Sequence, residues 1–504
     1  MPVPHSLSSI SIVQEPTADS WTHATPFEVM VSAWGGSQAA PEFISATLSS
    51  VNAWAYVGFW IEWMNGPLQG EWTRIVRFTP GTDTAVIDPI SVAPADATAT
   101  TIGRMWSPPD PIIQNDVAPG TAVTLTATNR IGDGVNYWSV PQRYYAVCLG
   151  STNATQIGVA RLITGYVTAT GVFTVNAFPN NIALGDLYVI RKDVYPHGDL
   201  AIPERTYSVI ERKFVKGAQD QDPHVLGPRD APFEMALEFR GNTTASAVAP
   251  TTATRPREAG DLLDARMAEV ADQASTIVAG SSTTVLRITD THRSRFGGAA
   301  DTNVGTMVLV EGGVAMITTK ADGAVGGDDL TVTPALPVIP TLGAVVFGGV
   351  NWTPITTGYL SHWIEMYLGP VTRIVLPGWS HSIRLEGMVA NEIPRWVFSG
   401  PCDSHLTGDV TRPWTPTFDL TLPRAARTMR VVLDGVAIIA KAVPLIDLGL
   451  DVKPHTSVTG AHGKDGHTVV GRMSMGTIKI DMEDGADEIE RFEGGQVMSL
   501  LVQH

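Results

Sequence analysis

The run Pro232-Phe233-Glu234-Met235-Ala236-Leu237-Glu238-Phe239-Arg240-Gly241 is apolar at every second position. Successive side chains of a strand point to opposite faces, so this run predicts a strand with one buried and one wet face. The same alternation recurs at Arg430-Val431-Val432-Leu433-Asp434 and from Thr477 to Met482. Turn pairs punctuate these runs at Gly312-Gly313, Pro377-Gly378, Asp434-Gly435 and Asp484-Gly485, as expected for short strands joined by tight connections. The fold class that follows is mainly β.

Two segments break the alternation. After Pro256-Arg257-Glu258, residues Leu262, Leu263, Met267, Val270 and Ala274 fall on one helical stripe. A leading Pro and an acidic first turn favour helix initiation, so a helix is expected over 256–275. A second helical stretch is expected from Pro41-Glu42 through Ile44, Leu48 and Val51.

Two kinds of internal repeat are visible. Pro26-Phe27-Glu28-Val29-Met30 parallels Pro232-Phe233-Glu234-Met235-Ala236. A small β unit also recurs at Gly70 to Pro94, Gly158 to Gly185 and Gly313 to Gly343, with an apolar pair, a Gly/Thr-rich turn, a Val-rich strand and a Pro-containing loop. Such echoes arise in any Thr/Val/Gly-rich β protein as well as from duplication. Asp193-Val194-Tyr195-Pro196-His197-Gly198-Asp199 reads as a linker. The expected division is an N-terminal β region, 1–195, and a strand–helix–sheet domain, 196–504, carrying a small β insertion at about 276–352.

The 504 residues include 48 Gly and 35 Pro, and only 17% are charged, below the ~25% of an ordinary soluble chain. Low charge suits a surface covered by neighbours. The net charge of −16 and the absence of any Lys/Arg block exclude a phosphate-gripping nucleic-acid binder. Two distant cysteines, Cys148 and Cys402, make neither a disulfide framework nor a zinc cluster. The start Met1-Pro2-Val3-Pro4-His5 shows no secretory signal. Ala53 to Met64 is too short to span a bilayer.

No catalytic, cofactor or metal residues are expected. Gly378-Trp379-Ser380-His381-Ser382 misses the nucleophile elbow because Ser382 stands where the tight turn requires Gly. His462 and His467 lie five apart on a Gly-rich loop, and Asp328-Asp329 offers two adjacent carboxylates; neither has the spacing of a metal site. Cys402 with His405, and Glu483-Asp484 with Asp487-Glu488, read as structural or solvated pairs. The cluster Trp54, Tyr56, Phe59, Trp60, Trp63 and Trp72 fits a core, a subunit interface or a sugar-stacking face.

From residue 200 to 495 the order of elements resembles the tail tube proteins of long-tailed, non-contractile bacteriophages. The resemblance runs through Leu237-Glu238-Phe239-Arg240-Gly241, Leu262-Leu263, Val397-Phe398-Ser399-Gly400-Pro401, Pro413-Trp414-Thr415-Pro416, Val431-Val432-Leu433-Asp434-Gly435, Ile446-Asp447-Leu448-Gly449-Leu450 and Gly471-Arg472, ending on a strand near Thr477. It implies a tube-like β-barrel or sandwich with one packed helix and additional small β domains. It further implies a structural virion subunit, made in the host cytoplasm, that polymerises as stacked rings into the conduit for DNA delivery. Rings of six chains are implied, or of three if residues 1–195 are a degenerate second tube domain; otherwise that region is one or two decoration domains. Implied partners are further copies, a tape-measure protein and tail terminator or tip proteins, with DNA passing an acidic lumen unbound. The expected inter-subunit residues are Phe233, Leu237 and Phe239 on an open edge, Leu262, Met267 and Val270 on the helix, His455, His462 and His467 on a loop reaching the next ring, and Ile478 and Ile480 on the last strand. Another virion component, such as a capsid decoration or tail-tip protein, and a β-sandwich glycan-binding protein remain the alternatives.

Overall fold

The computed structural model describes residues 8–14, 27–50, 56–97, 101–106, 112–114, 121–131, 138, 144–151, 153, 155–197, 206–210, 225–240, 259–290, 292–296, 306–311, 313–323, 326–333, 335–368, 372–402, 406–409, 430–433, 436–438, 440–456, 464–480 and 500–503. The protein is mainly β, with one curled, half-barrel sheet and a single α-helix among the described residues.

That helix is short. Among the described residues of that stretch only Gly260–Asp264 is helical, and Met267–Thr276 is a strand paired along Val345–Pro354. The expected helix over 256–275 is therefore corrected. Leu262 and Leu263 keep their buried role, but the β-branched Thr276-Ile277-Val278 continuation and a waiting partner strand outweigh helical spacing beyond Asp264. The second expected helix is also replaced. Ala40–Ile44 is a strand between Ala33–Ser37 and Thr84–Ile87, followed by a 3-10 turn at Ala46–Leu48. Phe43 and Leu48 are fully buried there.

The small repeats are the centres of a larger unit. Module 1 has strands Phe27–Met30, Ala40–Ile44, Trp60–Trp63, Trp72–Thr79, Thr84–Ile87 and Ile102–Trp106. Module 2 has Ile112–Gln114, Thr124–Thr126, Tyr144–Gly150, Ala160–Val167, Val172–Val175 and Leu187–Val194. Module 3 has Met267–Thr276, Val285–Thr289, Met307–Val310, Gly313–Gly323, Gly327–Thr333 and Val345–Pro354. In each, neighbours across the sheet run first, sixth, third, fourth, fifth, second.

The registers coincide residue by residue. In the fourth–fifth hairpin, Ile75 faces Ile87, Ile163 faces Val175 and Ile317 faces Val332; the register slips directly after each Ile and then resumes at Phe78–Ala85, Tyr166–Phe173 and Lys320–Leu330. A bulge bends a strand and raises its twist, which curls a short sheet. The three isoleucines are fully buried. The second strand adds Phe43, Leu125 and Leu286 opposite Ala85, Phe173 and Leu330. Modules 1 and 3 close into barrels in the same way: Ser32 N–H donates to the Ile44 carbonyl at 2.8 Å, and Val278 N–H to the Arg287 carbonyl at 2.9 Å. Closure removes sheet edges.

The remaining strands form a carrier domain that is discontinuous in sequence. Ser8–Gln14 lies between Leu187–Val194 of module 2 and His362–Leu368, and the sheet continues through Thr372–Trp379 to Leu406–Asp409. A second sheet runs Thr206–Ile210, Val225–Glu238, Arg395–Cys402, Ser382–Val389, Ala440–Asp447, Met475–Ile480. Phe233, Met235, Leu237, Ile364, Met366, Ile374, Leu376 and Phe398 fill the space between the two. The central sheet thus crosses the boundary expected near 193–205, and the expected insertion at about 276–352 lies inside module 3. Modules 1 and 2 occupy the connection after Ser8–Gln14. Module 3 leaves and re-enters the carrier at one point, where Ile355 N–H donates to the Arg266 carbonyl and Leu360 N–H to that of Ala265, both at 3.2 Å.

Candidate assembly surface

Outside the modules, five described strands stand apart from both carrier sheets: Val436–Ile438, Arg430–Leu433 and Leu500–Gln503 form a small sheet of their own, and two others form a projecting pair. Leu450–Thr456 and Lys464–Arg472 pair only with each other among the described residues, as a β-arm. Asp451, Lys453, Pro454 and His455 are exposed along it. Its root is fixed by Gly449, whose φ of +62° suits Gly alone; a Cβ there would lie 1.8 Å from the Met473 carbonyl oxygen. Met473 N–H donates to the Gly449 carbonyl at 2.8 Å, and Leu448 N–H to that of Ile383 at 2.9 Å. The arm therefore leaves the carrier at a set angle.

Apolar side chains crowd that root. Val470 is 59% exposed, Met473 74% and Met475 53%. Met475 opens the strand Met475–Ile480, which pairs with Ala440–Asp447 on one side and with no described strand on the other. An edge left unpaired among the described residues, with exposed methionines beside it, offers a template for a further strand.

The expected interface residues divide by burial. His455 is exposed on the arm, while His467 is buried across from Pro454. Ile478 is half-buried, packing on Met388 and Val443, and the Ile480 backbone pairs with Ala440. Phe239 is half-buried with its ring 5.6 Å from Trp396. Phe233, Leu237 and Leu262 lie in the carrier core, which leaves them no surface to offer a neighbour; the alternation identified a buried face and could not name what covers it. Met267 packs on that core from the start of its strand, and Val270 pairs with Asn351. His462 lies outside the described residues, as do Trp54, His405 and residues 483–488.

The described motifs with possible chemistry take the following places. Trp379-Ser380-His381 is a buried turn linking the two carrier sheets. The His381 carbonyl accepts from Arg266 Nε at 2.6 Å, and His381 Nε2 lies 2.9 Å from the Leu262 carbonyl. Asp329 takes both ends of the Arg287 guanidinium, at 2.7 and 2.9 Å. Asp328, buried, accepts from the Arg293 backbone at 3.0 Å, and with Asp290 and Asp322 it brings carboxylate oxygens within 4.8 Å of one another. Cys402 is buried in the carrier core. Of the aromatic cluster, Tyr56, Phe59 and Trp63 belong to module 1's core. Trp60 instead turns outward onto the carrier, 5.4 Å from Trp363 and 4.4 Å under the Arg373 guanidinium.

Sequence reading missed a buried charged cluster at that junction. Glu365 sits 2.7 Å from Arg191 Nη1 and accepts from the Tyr367 hydroxyl at 2.7 Å and Trp363 Nε1 at 3.2 Å. Asp88 of module 1 holds Arg373 at 3.1 Å and lies 3.9 Å from Arg74. All of these groups are buried. Burial alone would raise the Glu365 carboxyl, but the Arg191, Arg74 and Arg373 guanidiniums and the Tyr367 hydroxyl hold it down at about 2. Its only sequence signal was Glu and Arg at strand positions otherwise apolar.

No family model matches the chain, and neither does any curated protein. Among the described residues no helix is long and apolar enough to cross a membrane.

Proposed function

We propose that the chain is a structural virion protein, a subunit of a phage tail tube that polymerises as stacked rings around a channel for DNA. The observation that carries this reading is the β-arm rooted at Gly449 beside the strand Met475–Ile480, unpaired on one side among the described residues, with Val470, Met473 and Met475 exposed between them. A lone molecule gains nothing from a projecting arm and an unsealed edge; a neighbour that takes both gains backbone hydrogen bonds and apolar burial. Contacts of this head-to-tail kind close rings. The modules are then appendages of a tube-forming carrier, and the net charge of −16 suits a conduit that DNA passes without adhering. Further copies, a tape-measure protein and tail terminator or tip proteins are the partners, and the virion tail is the location.

Electron microscopy of the purified protein at rising concentration tests this. Stacked rings or hollow rods are expected. A monomer that persists at millimolar concentration overturns the reading.

A further inference from the structure

The three modules share registers, so their outward faces compare position by position. On the third and fourth strands, Trp60, Tyr145 and Met307 are equivalent, as are Glu62, Val147 and Leu309, and Arg74, Leu162 and Met316. In module 1 this face is covered: Trp60, Glu62, Trp72 and Arg74 are buried, with Trp60 seated on Trp363 and Arg373 of the carrier. In module 2 it is covered too. Tyr145, Val147 and Val189 are buried, Leu162 is half-buried against them, and Leu149 and Leu187 pack into the hydrophobic cluster of module 1.

Module 3 differs. Met307, Leu309 and Met316 are only half-buried, and Val345 beside them is 39% exposed. Its strands nevertheless read as unbroken apolar runs: Met307-Val308-Leu309-Val310, Val314-Ala315-Met316-Ile317 and Ala344-Val345-Val346-Phe347. Val308, Val310, Ala315, Ile317 and Val346 fill the barrel. A strand with water on one side alternates, whereas a continuous apolar run belongs to a strand covered on both.

We infer that this outer face of module 3 is a docking face for a second copy of the chain. Two observations select that occupant. Both sister modules already use the equivalent face to pack on parts of this same chain. The patch also carries no charge in a chain of net charge −16, so two copies meet there without the repulsion that opposes them elsewhere. Flexible methionines suit a surface that adapts to its partner. The inference rests on the self-assembly reading and adds a contact distinct from the arm.

The test is the full-length double variant Leu309→Lys/Met316→Lys beside the wild type, followed by sedimentation velocity over a concentration series and by electron microscopy. Thermal unfolding checks the fold. Both side chains point away from the barrel interior, so the melting temperature should stay within a few degrees, while the association midpoint rises at least tenfold in concentration. As a second measurement independent of stability, a photo-crosslinker at Met316 in the otherwise native chain should yield a covalent dimer. Wild-type-like assembly of the double variant, or crosslinks confined within one chain, overturns the docking face and leaves the tube reading standing. A wild type that never associates overturns both.

Discussion

Arg191 and Glu365 meet at 2.7 Å across the strand that separates them, and both are buried. Arg191 belongs to module 2 and Glu365 to the carrier, while Asp88 of module 1 completes the same cluster through Arg373. Three parts of the molecule are thus held at one charged point. Breaking a buried pair leaves a bare charge, at a cost of about 3–5 kcal/mol, whereas replacing both partners by apolar groups is often far milder. Glu365→Gln should therefore lower stability by about that amount. The double variant Arg191→Met/Glu365→Leu should recover part of the loss. Urea unfolding of both variants measures this, and equal losses would speak against a paired charge as the cause.

Acid should act first on the histidines. Burial, then the Arg266 guanidinium, holds His362 down at about 3, and His381 is lowered for the same reasons. An unfolded chain protonates its histidines near pH ~6.5, so between there and about 3 the unfolded state binds the extra protons and stability falls as pH falls. The slope is about 1.4 kcal/mol per pH unit for each histidine. Glu365 adds a further loss below the ordinary carboxylate range, between about pH 4.3 and 2. Melting temperature should drop from pH 6.5 downward. His362→Gln should flatten that drop, and an unchanged slope would remove this histidine from the explanation.

The shared registers make a quantitative comparison possible. Ile75, Ile163 and Ile317 occupy one position in the three modules, each fully buried. Each Ile→Ala change should cost about 2–5 kcal/mol. Hydrogen exchange should place each loss mainly in the mutated module. Spread of one lesion evenly over all three modules would show that they do not behave as separate units.

Gly449→Ala places a Cβ 1.8 Å from the Met473 carbonyl oxygen at a backbone angle of +62°. The root of the arm must shift, while Gly449 itself lies outside the core between the two carrier sheets and touches it only through its neighbour Leu448. Loss of ring or rod formation with only a few degrees' change in melting temperature is expected. Normal assembly would detach the arm from that process.

Local pattern carried some of this in full and some in part. The run at Phe233 announced a half-buried strand, and the echoes at Gly70, Gly158 and Gly313 marked the bulged hairpins of the three modules. Their full extent stayed hidden because the outer strands, such as Phe27–Met30 and Met267–Thr276, share a place in the sheet order but hardly any residues. The stripe through Leu262, Met267 and Val270 misled because helical spacing says nothing about a strand such as Val345–Pro354 waiting far along the chain. The cluster of Arg74, Asp88, Arg191, Glu365 and Arg373 draws its members from distant segments, and only folding assembles them.

The placement of Ser8–Gln14 sets the order in which the molecule can be completed. Its neighbour on one side, His362–Leu368, emerges from the ribosome more than three hundred residues later, at roughly 5–20 residues per second. Ser8–Gln14 must therefore wait, or pair provisionally, for on the order of a minute at the slow end of that range. Local barrels such as module 1 can form during the delay. Sealing the middle of the carrier is the late, long-range step, reached only once His362–Leu368 has been made.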